Sequence, residues 1–112
     1  MSDRLATGVL VSALVRRVNN AGGAATVLAK GDAQGGMILV VALEKGANPR
    51  LMERGIGADG QSALVPAGGD LADDRAVTDY WKRRRSRDPD LWVVELDIPL
   101  AERFAAETIL DD

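Results

Sequence analysis

The run "MILVVALE", residues 37–44, decides the fold. It is apolar without interruption, it has the length of a strand, and it ends on a single glutamate. Alternating polar residues would mark a strand with one wet face. Their absence marks a central strand covered on both faces.

On its N-terminal side, "AATVLAK", residues 24–30, is rich in small and β-branched residues, and "GDAQGG", residues 31–36, is turn chemistry. Together with 37–44 they read as a hairpin. On its C-terminal side, "KGANP", residues 45–49, turns the chain and "RLMERGI", residues 50–56, reads as a weaker strand. "ADGQ", residues 58–61, carries the Asp-Gly hairpin signal. "SALVP", residues 62–66, is the return strand, and Pro66 points to a sheet edge or to the strand's end.

Helices flank these strands. Leu10, Val11, Leu14, Val15 and Val18 share one helical face. Thr7 suits the cap of that helix, Arg16 and Arg17 suit the negative end of its dipole, and Asn20 with Gly22-Gly23 ends it. A second helix, from about Leu71 to Arg85, starts at Asp70 or Asp73 and stops before Pro89. "LWVVELDI", residues 91–98, alternates: Trp92, Val94, Leu96 and Ile98 face the core, and Leu91, Val93, Glu95 and Asp97 face the other way. "LAERFAAETIL", residues 100–110, is a short helix with Leu100, Phe104 and Leu110 as its apolar positions. The order is helix, four strands as a meander, helix, strand, helix. The expected class is α+β, a mostly antiparallel sheet of about five strands with helices packed on one face. Residues 1–112 make one domain, with 98–112 readable as an appended helical tail.

Composition removes much chemistry. The 112 residues contain no cysteine and no histidine, so disulfides, thiolate nucleophiles and the commonest general base and metal ligand are absent. Zinc chemistry loses its usual ligands and is not expected. Asp70, Asp73, Asp74 and Asp79 lack the alternate-oxygen spacing of a calcium loop and read as helix caps and solvated charge. "GIGADG", residues 55–60, matches G-x-G-x-x-G, but a strand rather than a helix follows, and the Asp-Gly turn accounts for the same glycines. No metal and no cofactor are expected. "LATGVLVSALV", residues 5–15, is apolar like a signal sequence. However, Arg16, Arg17, Asn19 and Asn20 follow where a small neutral cleavage site belongs, and the run is too short to span a bilayer. The expectation is a cytoplasmic protein without a membrane partner.

The remaining feature is "YWKRRRSRDPDLW", residues 80–92. Lys82, Arg83, Arg84, Arg85 and Arg87 carry +5 in a chain of net charge −3, so the remainder carries −8. The basic balance of a whole nucleic-acid-binding domain is absent; a local patch is present. Trp81 and Trp92 flank it. Val77, Tyr80, Trp81 and Arg84 share a helical stripe, while Lys82 and Arg83 point away from it. Lys82, Arg83, Arg84, Arg85, Arg87, Trp81 and Trp92 are the candidate surface for a phosphate, a nucleic acid or an acidic partner. The competing reading is a helix end dressed in cations, with arginine stems covering the tryptophans. Glu95 and Asp97, two apart on one strand face, form a carboxylate pair that reads as a solvated face.

"LVSALVRRVNNAGGAATVLAKGDAQGG", residues 10–36, together with "RDPDLWVVEL", residues 87–96, resembles the bacterial, mainly alphaproteobacterial, family known as domain of unknown function 1491. The resemblance runs over roughly residues 4–97, and the chain departs from it from Pro99 onward. It implies a small cytoplasmic α+β domain and carries over no catalytic residue. The functional expectation is a non-catalytic binding module rather than an enzyme. Its expected state is a homodimer joined through the tail helix or the edge at "SALVP". Nucleic-acid or phosphate binding through residues 80–92 is second, and a small carboxylate enzyme third.

Overall fold

The structure, a computed structural model, describes residues 5–69, 71 and 73–110. The elements are α1 (Thr7–Asn20), β1 (Ala24–Ala29), β2 (Ile38–Glu44), β3 (Ala47–Ile56), β4 (Ser62–Pro66), α2 (Asp74–Arg87), β5 (Trp92–Asp97) and α3 (Ala101–Ile109). The five strands form one sheet in the order β1-β5-β2-β3-β4. The expected α+β class and strand number hold, and β2 lies at the centre of the sheet.

Two details of topology differ from the expectation. Residues 24–30 and 37–44 do not pair as a hairpin, because β5 lies between them. It runs parallel to β2, with Val40 opposite Val94, and antiparallel to β1, with Val27 opposite Val94. Only β2, β3 and β4 form a meander. The loop "GDAQGG" is therefore a bridge over the entrance of β5. A Cβ on Gly31 or Gly36 would collide with the Asp90 carbonyl, so only glycine lets the loop straddle that segment. Asp32 donates its N–H to the Asp90 carbonyl at 3.0 Å, and Trp92 donates its N–H to Met37 at 2.8 Å.

The second difference is the placement of helices. They cover both faces of the sheet. α1 and α3 share one face, where Leu10, Val11, Leu14 and Val18 meet Ile38, Val40, Trp92, Val94 and Leu96. α2 covers the other, where Val77 with half-buried Tyr80 and Trp81 meets Leu39, Val41, Leu51, Leu91 and Val93. The reason is the apolarity of both residue sets on β2, joined on the α2 side by Leu91 and Val93. A sheet with two dry faces needs cover on each.

Local signals mostly land where expected. The Asp-Gly signal is a hairpin turn, with Gly60 at φ +81° and Gly57 N–H to Gln61 carbonyl at 2.8 Å. It is followed by β4, not by a helix. Lys45 and Gly46, both at positive φ, make the tight β2–β3 turn that suits the sheet's twist. Asp73 caps α2 by accepting from the Ala76 N–H at 2.9 Å, while Asp70 lies outside the described residues. Thr7 is not the cap of α1. It is the first helical residue and is buried, and its hydroxyl donates to the Gly36 carbonyl at 2.9 Å.

α3 buries Ala101, Ala105 and Ile109 rather than Leu100, which is 64% exposed; Phe104 and Leu110 are half-buried. It packs into the same cluster as α1. Arg17 clasps the two helices by donating to Glu107 at 3.0 Å and Thr108 at 2.6 Å, with its guanidinium over the Phe104 ring. Arg17 and Arg103 hold the Glu107 carboxyl below its ordinary range.

Candidate functional site

The basic run occupies the last turns of α2, a helix started by the Asp73 cap and anchored by Val77. Its cations do not form one surface. Arg84 donates to Glu53 on β3 at 2.8 Å and to the Tyr80 hydroxyl at 3.4 Å, with its guanidinium over the Tyr80 ring. Arg85 donates to the carbonyls of Pro89 and, at 3.1 Å, Leu91. These two arginines fasten the end of α2 to β3 and to the start of β5. Lys82, Arg83 and Arg87 are exposed, and no ion pair holds them among the described residues. Lys82 lies over the Trp81 ring, 5.9 Å from its centroid.

The two tryptophans are on opposite sides of the sheet. Trp81 packs with the α2 cluster, and Trp92 is buried under α1 and α3. The Trp92 indole N–H donates to the Asp32 carbonyl at 2.8 Å, so it is internally satisfied. The surface beside the exposed cations therefore includes Trp81 and excludes Trp92. The Arg84 guanidinium lies over the Tyr80 ring rather than over a tryptophan.

Glu95 and Asp97 share the α2 face of β5, as their spacing requires, and the fold adds Asp74 from the start of α2. Burial, followed by the charges of Asp97 and Asp74, pushes the Glu95 carboxyl above its ordinary range. A hollow of about 200 Å³ opens there between Glu95, Asp74, Thr78, Trp81 and Leu28. Among the described residues no group of carboxylates is arranged to hold a metal ion.

A further surface was not visible in the sequence. α1 lies over β1 and β5, and among the described residues nothing covers the outer edge of β1. Along that flank runs an open groove of about 640 Å³. Val11, Val15, Val27 and Trp92 form its apolar floor, and Ser12, Arg16, Asn19, Asn20 and Lys30 its polar rim. The signal available was the polar set Arg16, Asn19 and Asn20 on α1, beside Val11 and Val15 of the apolar stripe. It gained meaning only when β1 proved to be an edge.

A family model described as "Protein of unknown function (DUF1491)" matches residues 5–106. The match continues past Pro99 into α3, so the departure expected from that point is corrected. No curated protein matches the chain. Solved structures do. A crystal structure at 1.87 Å of a DUF1491 family protein from Caulobacter crescentus CB15 is 32% identical, with 90% of this chain and 94% of that one covered, at a TM-score of 0.78. An NMR structure of a DUF1491 family protein from Caulobacter crescentus CB15 is 33% identical over 89% and 91%, at 0.73. The solution structure of protein Atu0922 from A. tumefaciens is 30% identical over 85% and 86%, at 0.66.

Proposed function

Because the chain belongs to the DUF1491 family, whose description carries no activity, its own geometry must supply the reading, and we propose that it is a non-catalytic interaction module. The observation that carries this is the α1–β1 groove, an apolar floor with a polar rim beside an uncovered sheet edge. Such an edge presents unpaired backbone groups that another chain can complete. The proposal includes a homodimer, joined away from this groove, and a cytoplasmic setting. In support of that setting, Leu10, Val11 and Leu14 of the apolar run 5–15 are buried as core positions of α1. No described helix is long and apolar enough to cross a membrane.

The test is a chain carrying a photo-reactive side chain at Ser12, expressed in cells and irradiated. Discrete covalent adducts are expected at Ser12 and not at Gln61 on the β3–β4 turn. An absence of adducts at Ser12 overturns the reading. Light scattering of the purified chain reads the homodimer: a monomer mass at high concentration removes it.

A second reading has one specific support, exposed Lys82, Arg83 and Arg87 beside Trp81, without an ion pair among the described residues. It is phosphate or nucleic-acid binding on α2. Titration with single-stranded RNA should then show affinity falling with salt, by a log–log slope of about −0.7 per neutralised phosphate. No binding at high micromolar protein removes it. A carboxylate enzyme using Glu95 ranks third, supported by the small hollow alone.

A further inference from the structure

Resting on the interaction-module reading, we propose that the β1 edge and its groove take an extended acidic segment of a partner protein, added to the sheet as one more strand. The two sheet edges are unequal. On β4, the inward turn of Ala67, whose N–H reaches Leu51 at 2.9 Å, puts Pro66 outward. Proline has no N–H, so that edge is blunted. β1 holds no proline.

The backbone of β1 is presented in the required way. Ala25 donates its N–H to Asn19 Oδ1 at 3.2 Å, away from β5. The two-residue alternation of an antiparallel pair turns the N–H and C=O of Val27 the same way. Among the described residues no hydrogen bond from outside the sheet's own ladder reaches them. The Val27 side chain lies on the α1 face and is 41% exposed, so an added strand would bury it together with the groove floor.

Charge selects the occupant. Arg16 and Lys30 are exposed on the rim and have no ion pair among the described residues, whereas neighbouring Arg17 is tied to Glu107. The groove follows α1 from Gly8 to Asn20, about 18 Å at the helical rise, the span of five or six extended residues. Lys30 lies at the Gly8 end, where Gly8 donates to Ala33 at 2.8 Å. Arg16 lies about 12 Å further along the helix, roughly four extended residues away. Side chains of a strand alternate, so the complementary pattern is acidic-x-apolar-x-acidic, with its apolar residue on Val11, Val15 and Val27.

The probe is a fluorescein-labelled peptide Gly-Asp-Thr-Val-Thr-Asp-Gly, titrated with the full chain by fluorescence anisotropy. Binding is expected at micromolar protein, weakening as salt rises. Arg16→Glu and Lys30→Glu should each weaken it at least tenfold. Val27→Pro should do the same, because it removes the outward N–H at an edge position that tolerates proline. Arg75→Glu, an equal charge change on exposed α2, should leave it unaltered. Equal binding of a peptide with lysine in place of aspartate overturns the proposal, as does binding insensitive to Arg16→Glu. Displacement of the peptide by single-stranded DNA but not by unlabelled peptide also overturns it, in favour of a polyanion. No peptide binding while Ser12 adducts persist sinks the acidic segment and leaves the interaction module standing. Loss of both sinks the module itself.

Discussion

Trp92 and Asp32, sixty positions apart, are joined by a 2.8 Å hydrogen bond from the indole N–H to the backbone carbonyl. The bond ties the bridge between β1 and β2 to the strand that passes beneath it. The ring itself is buried under α1 and α3. Trp92→Ala should therefore cost about 3–5 kcal/mol in denaturant melts. Trp92→Phe keeps most of the packing and loses the donor, and should cost about 1–2 kcal/mol. Equal costs for the two would show that the bond, not the packing, matters.

The cations of α2 should separate by their partners. Arg84 and Glu53 are only 25% and 20% exposed, so Arg84→Ala strands a partly buried carboxylate and should cost about 1–2 kcal/mol. Arg85→Ala frees the Pro89 and Leu91 carbonyls and should cost about 1 kcal/mol. Arg83→Ala should stay within a few tenths of a kcal/mol, as for any exposed unpaired charge. Urea melts of the three variants decide the ranking.

Ending the chain after Ile98 should abolish folding. The deletion removes Ala101, Ala105 and Ile109 from the cluster beneath α1 and leaves Arg17 without Glu107 and Thr108. Circular dichroism and proton NMR of the shortened chain should report an unfolded or molten state. A cooperative melt would show that α3 is an accessory to a core complete without it.

Glu95 carries a pH signature. Burial and the nearby Asp97 and Asp74 raise its carboxyl above the ordinary value, so the folded state favours the protonated form. Its stabilising share is complete below the unfolded value, about 4.3, and is lost as pH rises through the folded value. Glu95→Gln should therefore raise Tm relative to the parent at pH 7–8, and the difference should vanish below about pH 4. A Tm that falls at neutral pH would reveal a favourable partner for the carboxylate.

Much of this molecule is written in neighbouring residues. The stripe Leu10, Val11, Leu14 and Val18, the alternation of Trp92, Val94, Leu96 and Ile98, and the Asp-Gly turn each specify an element through contacts within a few positions. All three stand in the structure. The apolar run 37–44 even declared two dry faces, which α2 on one side and α1 with α3 on the other supply. What it could not declare was which strand would lie beside it. The β1–β2 loop looks like a hairpin turn because glycine serves a tight turn and a close crossing equally well. Only the Asp90 carbonyl beneath it distinguishes the two. The same limit hid the partners of Arg84 and Arg85, which the run of cations presents as part of a patch and the fold spends on Glu53, Pro89 and Leu91. The groove beside β1 exists because β5 inserted between β1 and β2 and pushed β1 to the edge. Periodicity is a local property and reads out of a sequence directly. Adjacency of strands is a competition among distant segments for the same hydrogen bonds and the same apolar faces, and that competition is resolved only when the whole chain packs.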